Sequence, residues 1–176
     1  MGDWIAIVGS REQGREDVVR RLVAALQSAG VGVAGFVQTP RFDGEHVVGI
    51  DVMRLATGDR VPLAHHAGGA DLDVCEWVFS PAAFETAAEW ALSGSSAVCF
   101  VEAGRLEAAE GGHWATIVRS LNERPLTVLA IRPRVLASVA LRLPDPVDSI
   151  ELPADVDEIA RFCVRVGRGC ATEDPR

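Results

Sequence analysis

The sequence predicts an α/β fold in which a mostly parallel sheet is flanked by helices, with a β-hairpin inserted after the second strand. Short apolar runs alternate along the chain with segments in which apolar residues recur every three or four positions. The first run, Trp4 to Val8, leads through a glycine-containing loop into such a segment, Val18 to Leu26, and Val31 to Val37 is the next run. A strand, a helix and a strand in this order imply parallel pairing with a right-handed crossover.

The inserted hairpin is predicted from turn-forming pairs. Asp43-Gly44 and Gly58-Asp59 separate two further runs, around Val47 to Met53 and Arg60 to Ala64. The segment from His65 to Asp73 is then expected to be an exposed loop.

The second half of the chain continues the alternation. Ser80 followed by Pro81 is typical of a helix start. Ala97 to Val101 is a continuous apolar run, which predicts a strand buried on both faces and ending at Glu102. The remaining predicted elements are a helix from His113 to about Asn122, a strand from Leu126 to Ile131, a short helix near Arg134 to Leu141, a strand around Ile150 and Leu152, and a helix that begins after Asp155.

The length of 176 residues, of which 48% are apolar, predicts one domain, residues 1–167, followed by a flexible tail, residues 168–176. A net charge of −8 argues against nucleic acids and membrane surfaces as partners, because both select clustered positive charge. The N-terminal segment has no signal-peptide pattern, and no apolar run approaches the roughly twenty residues of a membrane span, so a cytoplasmic location is expected. The cysteines are far apart, which favours free thiols.

The loop after the first predicted strand carries a phosphate-binding spacing. Gly9 and Gly14 stand at the two glycine positions of GxxxxGK[ST], a motif whose amides cradle phosphates while its lysine reaches the outer ones and its hydroxyl ligates Mg²⁺. All 17 basic residues of this chain are arginine, and the last two motif positions are Arg15 and Glu16. The candidate nucleotide- or anion-binding residues are Gly9, Ser10, Arg11, Gly14, Arg15 and Glu16.

These two substitutions weaken the motif. A guanidinium is a broad planar fork where the site uses a compact ammonium, and Glu16 places a carboxylate beside phosphate oxygens that are already negative. The segment from Arg11 to Asp17 holds two arginines and three carboxylates, a net charge of −1. The alternative interpretation is that Gly9 and Gly14 only permit a tight turn between strand and helix.

Two carboxylates are candidates for catalysis. Glu102 follows a predicted buried strand, where a carboxylate could act as general base, and Glu107 could orient a water. The alternative is that Glu102 is the first polar residue after a strand and that Glu107 is a solvated loop residue. Among weaker candidates, His65, His66 and Cys75 match no known metal-site spacing, so no metal site is predicted.

Arg41 and Arg105 could contact an anion, although solvated ion pairs are the default for surface arginines. The aromatic residues Trp77, Phe79, Trp90 and Trp114 are expected to fill a core rather than to stack on a base.

From about Trp4 to Arg132 the chain resembles the small P-loop nucleoside-triphosphatases of bacteria and archaea. It resembles more closely an uncharacterised, related family whose genes often lie near molybdate-transport genes. The likeness rests on IAIVGSREQGRE, on VGVAGFVQTPRFDGEHVVGIDVMRLATGDRVPLA and on VEAGRLEAAEGGHW. It implies that Gly9 to Glu16 is the phosphate loop, that Glu102 matches the catalytic glutamate and Glu107 a second glutamate, and that Val101 occupies the position of the Walker B aspartate.

Three hypotheses follow. The first is a degenerate P-loop protein that binds a nucleotide, another anion or a protein partner, with little or no hydrolysis. The second is an active nucleoside-triphosphatase in which Arg15 replaces the lysine and Mg²⁺ accompanies the nucleotide. The third, suggested by the gene neighbourhood of the resembling family, is an accessory protein for molybdate or molybdenum cofactor.

Overall fold

The computed structural model describes residues 2–66 and 77–171. Within these ranges the chain forms eight strands and six helices. The elements, in chain order, are β1 (Asp3–Val8), α1 (Arg15–Ser28), β2 (Val33–Asp43), β3 (His46–Arg54), β4 (Arg60–His66), β5 (Trp77–Phe79), α2 (Pro81–Leu92), β6 (Val98–Ala103), α3 (Arg105–Ala108), α4 (Trp114–Glu123), β7 (Leu126–Ile131), α5 (Pro133–Ala140), β8 (Asp148–Glu151) and α6 (Val156–Ala171).

All eight strands belong to one sheet with the order β5-β4-β3-β2-β6-β7-β1-β8. The five strands β2, β6, β7, β1 and β8 are parallel to one another, whereas β3, β4 and β5 are added beside β2 by antiparallel pairing. The predicted mostly parallel α/β sheet with a hairpin after the second strand is therefore confirmed. Because parallel strands end at one edge of a sheet, the residues that follow β1, β6 and β7 are brought close together.

Helices cover both faces of the sheet. One cluster of buried apolar residues joins Trp4 and Ala6 of β1 to α2, α4 and α5, and a second joins Ile5 and Ile7 of the same strand to α1 and α6. Side chains alternate between the two faces of a strand, so a strand buried on both faces consists of apolar residues throughout. This explains why β1 has the sequence of a continuous apolar run.

The predicted helix starts have the expected caps. The Ser80 hydroxyl accepts the Ala83 N–H at 3.3 Å, and Pro81 is the first residue of α2. The Asp155 carboxylate likewise accepts the Glu158 N–H at 2.7 Å at the start of α6. Both contacts satisfy amides that a helix leaves without a partner in its first turn.

Several predicted boundaries were wrong. β2 continues to Asp43 and itself forms one arm of the hairpin, since pairing with β3 extends it. His65 and His66 belong to β4 rather than to a loop, and the rest of the predicted loop to Asp73 lies within residues 67–76, outside the described ranges.

At the other end of the chain, α6 extends to Ala171, so the predicted tail begins too early, and residues 172–176 lie outside the described ranges. No helix in the described parts of the chain is long and apolar enough to span a membrane.

Candidate functional site

The loop between β1 and α1 closes tightly on itself. The Gly9 N–H donates to the Ile131 carbonyl at the end of β7 at 3.0 Å, and the Gly14 N–H donates to the Arg11 carbonyl at 2.9 Å. The Arg15 N–H, at the first residue of α1, donates to the Ser10 carbonyl at 3.4 Å. Three amides of the loop thus have partners within the protein.

Each loop glycine has a local structural reason. A Cβ on Gly9 would lie 2.8 Å from the Leu152 Cβ, so no larger residue fits there without a shift of the segment after β8. Gly14 precedes α1 with φ 83°, a left-handed conformation that glycine adopts at little cost, and open space surrounds it. These requirements agree with the interpretation of a tight turn, and they are also compatible with a phosphate loop.

Gln13 fastens the loop in a way that sequence reasoning missed. Its side-chain oxygen accepts the Ser10 N–H at 2.7 Å, and its side-chain nitrogen donates to the Leu152 carbonyl at 2.8 Å. The oxygen therefore occupies an amide that a phosphate-binding loop would offer to its ligand. No sequence pattern indicates this contact, because Gln13 and Leu152 are 139 positions apart.

Arg15 points into the loop rather than towards solvent. Only 6% of its surface is exposed. One guanidinium nitrogen donates to the Gly9 carbonyl at 3.0 Å, and the other donates to the Glu102 carboxylate. The cation at the motif's lysine position is thus bound to two of the protein's own acceptors.

Glu102 is the acceptor in this buried ion pair, and 5% of its surface is exposed. It lies within β6, one residue before the strand ends at Ala103, which corrects the predicted position after the strand. β7 separates β6 from β1, and the side chain still reaches Arg15. Its second oxygen accepts the Gln38 N–H. Burial raises the pKa of the Glu102 carboxyl, and Arg15 and the Gln38 N–H oppose that rise.

Little space remains beside the pair. Arg11, Arg15, Gln38 and Glu102 are among the residues that line a cavity of about 10 Å³. A cavity of this size holds about one water molecule.

The first turn of α1 carries acidic residues that pair along the helix. Glu16 contacts Arg20, and Asp17 contacts Arg21, both at i,i+4 spacing. Such exposed pairs contribute about 0.3–0.5 kcal/mol each. Glu16 is therefore neutralised by a neighbour one turn along the helix.

Glu107 is buried rather than solvated. One of its oxygens accepts the Gly104 N–H at 2.7 Å and the other accepts the His113 N–H at 2.8 Å. The carboxylate thereby closes the segment that contains α3 and joins it to the start of α4. This arrangement gives Glu107 a structural role and leaves neither oxygen without a partner.

His113, next to this segment, is a buried residue that sequence reasoning did not single out. None of its surface is exposed, its ring lies 4.4 Å from Phe36 and 4.7 Å from Phe84 between centroids, and neither ring nitrogen has a hydrogen-bond partner within the described residues. Burial lowers the pKa of His113 to about 4. The ring is therefore neutral at pH 7.

The weaker candidates lie elsewhere in the fold. The ring of His66 in β4 packs against Trp77 at a centroid distance of 4.0 Å, with the two rings tilted by 42°, and Arg41 pairs with Asp51 at 3.1 Å. Arg105 is exposed at the start of α3, and Cys75 lies outside the described ranges. Within residues 2–66 and 77–171, no three His, Cys, Asp or Glu side chains are grouped as a metal site.

The aromatic candidates have the expected packing role in part. Phe79, Trp90 and Trp114 are partly buried against the cluster of apolar residues that contains Trp4.

The chain has a mostly parallel sheet with a glycine loop between its first strand and first helix, and two solved structures of nucleoside-triphosphatase-type proteins have a similar fold. The solution structure of a human cancer-related nucleoside triphosphatase has a TM-score of 0.67 at 16% identity, covering 99% of this chain and 100% of that one. The crystal structure of THEP1 from the hyperthermophile Aquifex aeolicus has a TM-score of 0.63 at 18% identity, covering 93% of this chain and 98% of that one.

The chain belongs to the family described as "Protein of unknown function (DUF2478)", which matches residues 4–138. No curated protein matches the sequence significantly. The predicted relationship to small nucleoside-triphosphatases is confirmed at the level of the fold. The predicted connection with molybdate-transport genes is not tested by these similarities and stays a prediction.

Proposed function

We propose that this protein is a degenerate P-loop protein that does not turn over nucleoside triphosphates with Mg²⁺ and serves as a weak nucleotide- or anion-binding module or a protein-interaction module. The observation that carries the proposal is the position of Arg15. It stands where the phosphate loop has its lysine, yet it is buried and bonded to Gly9 and Glu102. A lysine in an active loop instead directs its ammonium group at the outer phosphates.

The space inside the loop supports the same conclusion. The cavity beside Arg15 and Glu102 has room for about one water, whereas a triphosphate needs many times that volume. Opening it requires that the buried ion pair separate. Separation would leave the Glu102 carboxylate without its cation in a buried position, which opposes nucleotide binding inside the loop.

The residues present do not fit a magnesium-bound triphosphate. Glu16 replaces the hydroxyl that ligates the ion and is paired with Arg20, and the resemblance places the buried Val101 at the Walker B aspartate. The amide of Ser10 is occupied by Gln13. No catalytic step is therefore assigned to Mg²⁺ here.

An active nucleoside-triphosphatase is the second candidate. It is favoured by the descriptions of the two proteins with the same fold, one of which is a human nucleoside triphosphatase, and by the burial of Glu102 near the end of β6. In this case Arg15 would have to release Glu102 and contact the outer phosphates, so that Glu102 could act as general base.

Phosphate release from ATP and GTP with Mg²⁺ distinguishes the two candidates. The wild-type protein and the Glu102→Gln variant are expected to release phosphate at the same rate as a protein-free blank. Glu123→Gln is the matched control, because Glu123 is an exposed carboxylate at the end of α4. Turnover of about 1 s⁻¹ or faster that disappears in Glu102→Gln and persists in Glu123→Gln would establish the second candidate.

A further inference from the structure

Two arginines beside the phosphate loop lack a direct partner. Arg11 lies within the loop, and Arg132 directly follows β7, whose last residue accepts the Gly9 N–H. Neither guanidinium forms a hydrogen bond or an ion pair with any residue in ranges 2–66 and 77–171, in contrast to Arg15, Arg20 and the other paired arginines of the surface. Two unengaged cations therefore lie at the edge of the sheet where the parallel strands end.

Both arginines act on the same carboxylates. A hydrogen bond from Ser10 is the main cause of the lowered pKa of Glu12, and the charges of Arg11 and Arg132 add to it. The same two charges oppose the rise that burial produces in the pKa of Glu102. Glu102 is already neutralised by Arg15, so Glu12 is the carboxylate left to balance Arg11 and Arg132. Glu16 and Asp17 of α1 are paired with Arg20 and Arg21. Counting these two pairs and the Arg15–Glu102 pair as neutral, Arg11 and Arg132 against Glu12 leave a net charge of +1 among these residues, in a chain whose total charge is −8.

The surplus charge faces solvent rather than the loop interior. Arg132 is exposed and Arg11 is half-buried at the rim of the small cavity, while the buried Arg15–Glu102 pair closes the space beneath. An anion at this rim does not have to separate the buried pair. It meets guanidinium groups, whose donors match the oxygens of phosphate in a bidentate manner.

We propose that Arg11 and Arg132 form a metal-independent binding site for a phosphate-type oxyanion at the outer rim of the loop. The anion is either free inorganic phosphate or the terminal phosphate of a nucleotide, and the two share the chemistry that the arginines recognise. The inference rests on the proposed function, since it places the anion outside a loop that does not hold a magnesium-bound triphosphate. Because Arg132 is exposed and Arg11 is only half-buried, the binding is weak and sensitive to salt.

Calorimetric titration with sodium phosphate and with ADP, in EDTA at low ionic strength, tests the site. Arg11→Gln and Arg132→Gln are each expected to weaken phosphate binding by about tenfold or more, a loss of about 1.4 kcal/mol. Arg119→Gln is the control, because Arg119 is an exposed arginine on α4 paired with Glu123. Its affinity for phosphate should equal that of the wild-type protein.

Each result has a definite meaning. Arginine-dependent binding that is tighter for ADP than for phosphate supports the site with a nucleotide as the source, and equal affinities support it with free phosphate as the source. No heat from either ligand at 10 mM, or affinities unchanged in both variants, would overturn the inference. Because the titration excludes Mg²⁺, it is independent of the hydrolysis assay, so failure of the site and failure of the proposed function are separately visible.

Discussion

Substitution of Arg15 by methionine is expected to destabilise the protein by about 3–5 kcal/mol at pH 7, because it leaves the Glu102 carboxylate buried without its cation. Arg15 and Glu102 are only 6% and 5% exposed, so bulk water does not reach the carboxylate to solvate it in place of the lost partner. Glu102→Leu should be destabilising for the converse reason. The double variant should lose much less than the sum, since two apolar side chains can fill the same space.

The double-mutant cycle gives the interaction free energy directly. We expect a coupling of at least about 2 kcal/mol, measured by urea unfolding with the fluorescence of the four tryptophans, one of which is the buried Trp4, as the probe. The control cycle uses Arg165 and Asp148, an exposed pair joined by two hydrogen bonds, for which the coupling should be below about 1 kcal/mol.

The cost of Arg15→Met should also increase with pH. Burial already raises the pKa of Glu102, and loss of the guanidinium removes a group that opposes the rise. A group whose pKa is higher in the folded than in the unfolded state stabilises the fold at low pH and loses that contribution as pH rises. A coupling equal to that of the Arg165–Asp148 pair, or a cost independent of pH, would refute the idea that a desolvated ion pair closes the loop.

Three further predictions concern stability. The neutral ring of His113, with a pKa of about 4, favours the fold fully above pH 6.5 and loses that contribution, about 3 kcal/mol, as pH falls towards 4. Between pH 7 and pH 4, the free energy of unfolding in urea should fall by about 3 kcal/mol less for His113→Phe than for the wild type. Equal falls in the two proteins would contradict a buried, neutral His113. Arg124 is 7% exposed and donates to carbonyls at the end of α2 and in the turn that follows. Arg124→Ala should therefore lower the free energy of unfolding by at least about 3 kcal/mol, whereas the exposed Arg119→Ala should lower it by less than about 0.5 kcal/mol. Similar losses for the two variants in thermal unfolding would show that the hydrogen bonds of Arg124 contribute little. Gly9→Ala should lower the free energy of unfolding by about 1–3 kcal/mol, because the new Cβ would lie 2.8 Å from the Cβ of Leu152. An unchanged unfolding midpoint would mean that the segment after β8 can shift at no cost.

Local signals were sufficient where an element is determined by its own residues. β7 has the predicted bounds, Leu126–Ile131, because a strand buried on both faces is a continuous apolar run. Ser80 and Pro81 predicted the start of α2 because a helix cap depends on residues within one turn. α3 was missed, since four residues are too few to show a helical period.

The sequence by itself determined the layered α/β architecture, the glycine loop after β1 and the replacement of lysine and hydroxyl by Arg15 and Glu16. These are properties of neighbouring residues and of apolar periodicity. The tertiary structure decided what the loop contains. Arg15 meets Glu102 across 87 positions, and Gln13 meets Leu152 across 139. Such contacts depend on which strand ends share an edge of the sheet, and the order of strands is set by packing of the whole core rather than by any local pattern.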